Sequence, residues 1–217
     1  MQRNLWEEFK SAFTKGNNGL IQLILINGIV FFVLRVLEVV LTLTGVINDP
    51  SSYHQTYLNL LGLPSDMGQL LIRPWTIITT FFTHYGFFHI LFNMLFLYWF
   101  GRLVHDYLGN GRLINLYILG GLAGGILYVL IYNLSPLFAS EVGRSSLIGA
   151  SASVFAIVVG AATLMPDHRF YLLLLGPVRI KYIAIFYVAM SFFGAIGSNA
   201  GGDIAHLGGA LIGFFFV

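Results

Sequence analysis

The chain has 217 residues, of which 57% are hydrophobic and only 9% are charged. Its mean hydropathy is +0.82, whereas about 25% of the residues in soluble domains are charged. The composition therefore excludes an ordinary soluble domain and predicts a multi-pass integral membrane protein that contacts the lipid bilayer. The net charge of +2 argues against a nucleic-acid partner, and the lack of cysteine in the sequence excludes disulfides and thiolate metal sites.

The first 18 residues mix acidic and basic side chains and contain no small-residue cleavage site before the first apolar run. A secretory signal peptide has such a site. We therefore expect residues 1–18 to form a cytoplasmic N-terminal surface segment that is not removed.

The rest of the chain, residues 19–217, is predicted to form one membrane domain, an all-α polytopic bundle of six transmembrane helices. The expected spans are about 20–46, 87–107, 113–134, 147–165, 178–197 and 203 to the end. The last run gives a helix of about 22 Å, shorter than the roughly 30 Å of a hydrocarbon core. We expect this sixth helix to be truncated at the C-terminus.

Two regions near the start of the domain combine apolar and polar side chains. Arg35 and Glu38 lie three residues apart within the first span and can pair on one helix face. Ions inside a span are functional candidates, although a structural clamp is the favoured interpretation. The connection from Asp49 to Phe87 is rich in aromatic residues with polar tips, so we expect it to fold and to lie partly in the outer leaflet.

Small residues recur at four-residue spacing in the third and fourth spans. The third span has Gly120, Gly121, Gly124 and Gly125, and the fourth has Ala152, Ala156 and Gly160. Such spacing suits close helix crossing. We therefore expect the fourth span to be a thin, central helix.

Lysine and arginine are distributed unevenly between the two ends of the predicted spans. Eight lie on the side of the N-terminus and two on the other, Arg73 and Arg144. The positive-inside rule then places the N-terminus in the cytoplasm. We expect the protein in the cell (inner) membrane, with the second, fourth and sixth spans beginning at the outer surface.

Four polar side chains fall within about two turns of those outer starts: His89, Asn93, Ser151 and His206. Each has an ordinary explanation, because a helix serine can bond its own backbone, a histidine can be a satisfied core residue and an asparagine can link helices. Unpaired polar groups in lipid are costly, however, and four at one depth favour a functional site.

These residue types can together perform acyl transfer. Ser151 needs a base to take its proton, and His206 is the available base. The side-chain N–H groups of His89 and Asn93, which share a helix face, and the Ser151 backbone N–H can stabilise an oxyanion. This predicts a catalytic dyad in the outward-facing half of the membrane.

Two neighbouring residues bear on this dyad. The only acidic residue near His206 in sequence is Asp203, so the position of a third member is left vacant. Phe155 lies one turn after Ser151 and can stack on the imidazole, although plain core packing accounts for its spacing equally well.

The motifs resemble those of the rhomboid intramembrane serine proteases. His89-Ile-Leu-Phe-Asn93 matches H-x-x-x-N, Gly149-Ala-Ser151 matches G-x-S, and Ala205-His206-Leu-Gly-Gly209 with Gly213 matches A-H-x-x-G-x-x-x-G. The order agrees, and the similarity covers about residues 50 to 217. Three positions depart from the family pattern. This chain has Ala152 where the family often has Gly, Thr76 after Trp75 where many members have Arg, and His105 where bacterial relatives often have Glu.

The resemblance implies an intramembrane serine endopeptidase. Ser151 would be the nucleophile, His206 the general base, and His89 with Asn93 the oxyanion donors. The substrates would be single-span membrane proteins, cut near the outer end of the transmembrane segment, with no cofactor and no metal. The fifth span, with Phe186, Phe192 and Phe193, would be a movable wall through which a substrate helix reaches the site.

Other functions remain open. A catalytically silent rhomboid-like protein that binds membrane helices would share the fold, although such proteins typically lack the serine or the histidine. A transporter is less favoured because the two halves do not contain corresponding broken helices. The sequence has no H-E-x-x-H motif for a zinc protease and no second intramembrane aspartate to partner Asp203.

Overall fold

The computed structural model describes residues 18–172 and 176–217, and these are mostly helical. The helices are α1 (Gly19–Leu43), α2 (Pro50–Leu61), α3 (Met67–Ile72), α4 (Thr76–Thr79), α5 (Phe87–Leu108), α6 (Asn110–Leu134), α7 (Ser151–Leu164), α8 (Ile180–Gly194) and α9 (Ala200–Phe216). The strands are β1 (Leu63–Pro64), β2 (Ser146–Leu147), β3 (Arg169–Leu172) and β4 (Gly176–Arg179), and short 3₁₀ turns span Thr80–Phe82 and Pro136–Phe138. The predicted N-terminal surface segment lies outside the described residues, apart from Asn18.

Apolar helices occupy all six places where spans were expected. Three of them, α1, α5 and α6, have 25, 22 and 25 residues and are long and apolar enough to cross a membrane. The other three, α7, α8 and α9, have 14, 15 and 17 residues. The described residues thus form a polytopic helical membrane protein, but a count of six complete spans is not confirmed.

Two short β-pairings explain why α7 and α8 begin later than predicted. Leu63 and Pro64 pair antiparallel with Leu147 and Ser146, and Leu147 is the first residue of the expected fourth span. β3 and β4 form an antiparallel hairpin from Arg169↔Arg179 to Leu172↔Gly176, ahead of α8. The bundle is mostly helical, as expected, and these short pairings are an addition that the sequence did not indicate, because apolar content alone does not distinguish a short strand from the end of a helix.

The helices α6, α7 and α9 pack closely through small residues. On the α6 side, a methyl group added to Gly124 would lie 2.5 Å from the Ala152 side chain, and one added to Gly120 would clash with Ala156. On the α9 side, Gly209 lies against the backbone carbonyl of Ala152. The predicted close crossing is confirmed, and α7 lies between its two neighbours with Ala152 in contact with both.

The paired ions of α1 form a clamp. Arg35 Nη1 lies 2.5 Å from Glu38 Oε2 and 3.0 Å from His54 Nε2 in α2. Arg35 Nη2 also donates to the Tyr85 carbonyl, at 2.5 Å. This pairing was predicted, and it ties α1 both to α2 and to the segment that leads into α5.

The connection from residue 49 to residue 87 is folded, as expected. Trp75 Nε1 donates to the Leu60 carbonyl at 2.8 Å, and Thr79 Oγ1 donates to the Leu61 carbonyl at 2.7 Å. These bonds attach α4 to the end of α2 without an arginine after Trp75. Several apolar side chains of the connection are exposed, namely Leu60, Leu71, Ile72, Trp75 and Ile78. Its contact with the outer leaflet stays a prediction.

Candidate active site

One cavity of about 1090 Å³ is lined by all five side chains that the sequence singled out. They come from three helices: His89 and Asn93 from α5, Ser151 and Phe155 from α7, and His206 from α9. Each lies near the N-terminal end of its helix, except Phe155, which follows Ser151 by one turn. The fold thus brings together residues that are up to 117 positions apart in the sequence.

The loop before Ser151 is shaped by Gly149. Its φ of +120° is a conformation that L side chains rarely adopt. A Cβ atom at this position would also lie 2.8 Å from the Nε2 atom of His89 and 3.7 Å from Ser151 Oγ. The glycine of the G-x-S motif is therefore required twice, by the backbone turn and by the close approach of the His89 ring.

Thr80 holds the same loop from the other side. The Gly149 N–H donates to the Thr80 carbonyl at 2.9 Å, and Thr80 Oγ1 donates to the Leu147 carbonyl at 2.6 Å. The loop is thus bonded on both sides of Ile148. These contacts fix the backbone that presents the first turn of α7 to the cavity.

His84 is a further contact of this loop that sequence reasoning did not single out. Its side chain is fully buried, and its Nε2 atom accepts from the Ala150 N–H at 3.4 Å. Its ring meets that of His89 edge-on, with 5.0 Å between centroids. Burial, and secondarily the neighbouring His89, lowers the pKa of His84 to about 3. His84 is therefore neutral and serves as an acceptor for the loop.

Contacts on two sides fix the orientation of the His206 imidazole, both the plane of the ring and its rotation within that plane. Its ring lies parallel to that of Phe155, with 4.1 Å between centroids and 8° between planes. Its Nδ1 atom lies 3.0 Å from Ser191 Oγ in α8 and 3.6 Å from Asp203 Oδ1. The sequence left the third member of the catalytic group unassigned, and the structure places the hydroxyl of Ser191, the one serine of α8, beside His206. A lone serine in an apolar run gave no reason to predict this contact.

Asn93 is buried, and its Nδ2 atom donates to the His89 carbonyl of its own helix at 2.8 Å. An amide nitrogen has two N–H groups. One of them is engaged in this bond, which fixes the side chain, and the other is left for a ligand in the cavity.

Ser151 and Ser153 differ in their surroundings. Ser151 lines the cavity and is the first residue of α7, where a backbone N–H has no carbonyl partner within the helix. Ser153 is fully buried, and its Oγ atom faces α6, 2.6 Å from where a Cβ on Gly121 would lie. Of the two serines, only Ser151 is presented to the cavity.

The wall of the cavity on the α8 side is formed by Tyr187. Its ring meets Phe96 of α5 edge-on at 5.2 Å between centroids, and Phe155 at 6.1 Å. Phe192 and Phe193, which we expected to form part of this wall, are 66% and 74% exposed on the outer surface of α8. The contact between α5 and α8 is thus made by Phe96 and Tyr187, neither of which the sequence singled out.

Within residues 18–172 and 176–217, no three or more His, Cys, Asp or Glu side chains form a group that could hold a metal ion.

The family model for the Rhomboid domain matches residues 72–217. The chain belongs to the rhomboid family. The matched region contains every residue of the candidate site, together with Ser191, Asp203 and His84. Membership and the apolar helices together establish an integral membrane protein.

Two curated rhomboid-like proteins are similar to this rhomboid. "RHOMBOID-like protein 12, mitochondrial" from Arabidopsis thaliana is 33% identical over 150 residues, which are 64% of this chain and 44% of the relative. "Presenilin-associated rhomboid-like protein A, mitochondrial" from Danio rerio is 28% identical over 140 residues, 63% of this chain and 35% of the relative. The matched part is less than half the length of each relative. Both names refer to mitochondria, so the comparisons do not support the expected cell membrane.

Proposed function

We propose that this rhomboid is an intramembrane serine endopeptidase that cleaves transmembrane segments of membrane proteins. The observation that carries the proposal is the cavity shared by Ser151 and His206, in which the imidazole is fixed by Phe155. A serine hydroxyl becomes a nucleophile when a neighbouring neutral imidazole can take its proton.

The proposed reaction follows from the positions of these groups. Ser151 Oγ attacks the carbonyl carbon of the scissile amide while His206 Nε2 takes the hydroxyl proton. The oxyanion accepts hydrogen bonds from the backbone N–H of Ser151 and from the side-chain N–H groups of His89 and Asn93. His206 then gives the proton to the leaving amine, and a water molecule hydrolyses the acyl-enzyme by the same route.

Access to the site also follows from the fold. The cavity is open and its lining includes polar loop residues such as Glu141, Arg144 and Asn199, which can admit water. A substrate helix would come from the lipid between α5 and α8, where Phe96 meets Tyr187. In this proposal α8 is the movable wall, and the substrate is a single-span membrane protein.

The membrane orientation is part of the proposal. The uneven distribution of lysine and arginine supports a topology in which the active site faces the side opposite the N-terminus. Because the sequence has no cysteine, single cysteines introduced at Glu141 and Asp167 can be probed with a membrane-impermeant thiol reagent. The proposal expects labelling of the two sites from opposite sides of the membrane.

The decisive test is labelling of the detergent-purified protein with a fluorophosphonate probe. The parent and Ser153→Ala should be labelled, whereas Ser151→Ala and His206→Ala should not. A chelator should leave the labelling of the parent unchanged. If the correctly folded parent neither reacts with the probe nor cleaves a membrane-embedded substrate, the proposal is wrong and the catalytically silent rhomboid-like protein that binds membrane helices is favoured instead.

A further inference from the structure

The side of α8 that faces the candidate active site carries the hydroxyl group of Ser191. Ser191 is 2% exposed, whereas its neighbours Met190 and Phe192 are 56% and 66% exposed. Its Oγ atom lies 3.0 Å from Nδ1 of His206. A buried hydroxyl in an apolar helix needs a partner, and here that partner is the proposed base.

The contact determines which nitrogen of His206 is free. When Nδ1 carries the proton and donates it to Ser191 Oγ, the lone pair remains on Nε2, the nitrogen that must receive a proton from Ser151. The stacked ring of Phe155 fixes the plane of the imidazole. Ser191 then fixes the rotation of the ring within that plane.

Asp203 gives the same end of α8 a second contact with α9. Its Oδ1 atom lies 3.6 Å from His206 Nδ1, and a Cβ added to Gly194 would lie 2.5 Å from its Oδ2 atom. The C-terminal end of α8 therefore meets α9 at two points, Ser191 against His206 and Gly194 against Asp203. A movement of this end away from α9 separates both.

We propose that Ser191 is a positioning residue for His206, and that α8 thereby makes the base most reactive when its C-terminal end is seated against α9. The inference rests on the proposed function, because it assumes that His206 is the base. Its consequence is an ordered cycle. A substrate helix that displaces this end of α8 releases His206 from Ser191, and Ser151 attacks fastest once α8 has returned to its seat.

The test compares Ser191→Ala with Ser191→Thr, and uses the buried Ser153→Ala as the matched control. We measure the rate of fluorophosphonate labelling and the kcat and KM for a short soluble peptide. Loss of one neutral hydrogen bond predicts a fall of about 2- to 10-fold in labelling rate and kcat for Ser191→Ala. KM should change little, Ser191→Thr should keep most of the rate, and Ser153→Ala should match the parent.

Three outcomes overturn the inference. Ser191→Ala could label as fast as the parent, it could raise KM without lowering kcat, or Ser191→Thr could fold and yet be slower than Ser191→Ala, as a packing role predicts. If Ser191→Thr does not fold, the kcat and KM of Ser191→Ala decide alone. Labelling that does not depend on Ser151 refutes the proposed function itself, whereas labelling that depends on Ser151 but not on Ser191 refutes only this inference.

Discussion

The ring of Phe155 lies parallel to the imidazole of His206, 4.1 Å away between centroids. Phe155→Leu keeps an apolar side chain but removes the aromatic face. Such a ring contact contributes about 0.5–1.5 kcal/mol, so we expect kcat to fall roughly 2- to 10-fold with little change in KM. Phe155→Tyr, which keeps the ring, should retain most activity. Equal activity of the leucine variant and the parent would show that the stack does not orient the base.

Asn93 is predicted to act in the transition state. Removing one oxyanion donor costs about 10²- to 10³-fold in kcat, so Asn93→Ala should lower kcat far more than it raises KM. The matched control is Asn133→Ala in α6, since Asn133 donates to the Ser65 carbonyl away from the cavity. That control should lower thermal stability and leave kcat near the parental value. Steady-state kinetics with a soluble peptide distinguish the two, and a purely raised KM for Asn93→Ala would contradict the assignment.

Gly209 sets the distance between α7 and α9. A methyl group there would meet the backbone carbonyl of Ala152, which cannot rotate away as a side chain can. Overpacking of this kind costs about 1–3 kcal/mol, so Gly209→Ala should lower the thermal unfolding temperature and the labelling of Ser151 together. Gly28→Ala is the control, because a Cβ at Gly28 meets nothing within 4 Å. It should be neutral or slightly stabilising.

His84 predicts a pH dependence of stability. Its folded pKa of about 3 lies below the ordinary value of 6.5. As the pH falls, the unfolded chain therefore binds the proton first. The contribution of His84 to the free energy of unfolding is complete above about pH 6.5. It declines by about 1.4 kcal/mol per pH unit down to about pH 3.

Thermal unfolding in detergent across this pH range tests the contribution of His84. His84→Asn should show a shallower decline than the parent. His168→Asn, the same substitution at an exposed histidine, is the control for the change of residue type. Parallel profiles for parent and His84→Asn would mean that His84 does not remain neutral in the folded protein.

Phe96 and Tyr187 are predicted to keep the passage between α5 and α8 closed. Phe96→Ala is the cleaner change, because Tyr187 also touches Phe155. Loss of an aromatic contact should speed cleavage of a membrane-embedded substrate by up to about tenfold and leave cleavage of a soluble peptide unchanged. Phe193→Ala, on the outer surface of α8, should change neither rate. If Phe193→Ala speeds cleavage of the embedded substrate and Phe96→Ala does not, the outer face of α8 controls entry and the contact between Phe96 and Tyr187 does not.

Sequence patterns predicted the helices and the contacts between small residues because both depend on local spacing. Gly120 and Gly124 lie against Ala156 and Ala152, as the four-residue repeat indicated. The pairing of Arg35 with Glu38 followed from their separation by three residues. Such features need only the period of a helix.

Contacts that depend on tertiary packing could not be predicted in this way. The hydroxyl of Ser191 reaches His206 only because α8 packs against α9, and a serine among apolar residues is usually bland. Likewise Leu147 pairs with Leu63 across 84 positions, so the expected fourth span loses its first residue to a strand. Phe192 and Phe193 are exposed because of the way α8 is rotated about its axis. The sequence of α8 is apolar on all sides and does not determine that rotation.

The 15 residues of α8 amount to a helix of about 22 Å, set between the β3–β4 hairpin and the turn after Gly194. The helices α1 and α6, at 25 residues or about 37 Å, are long enough to cross a hydrocarbon layer of about 30 Å. This is hydrophobic mismatch on one flank, and lipids relieve it by compressing locally. We therefore expect headgroups and water to lie deeper beside α8 than beside α1 or α6. We expect a substrate helix reaching this flank to have its outer turns hydrated, and so loosened, before it meets the protein.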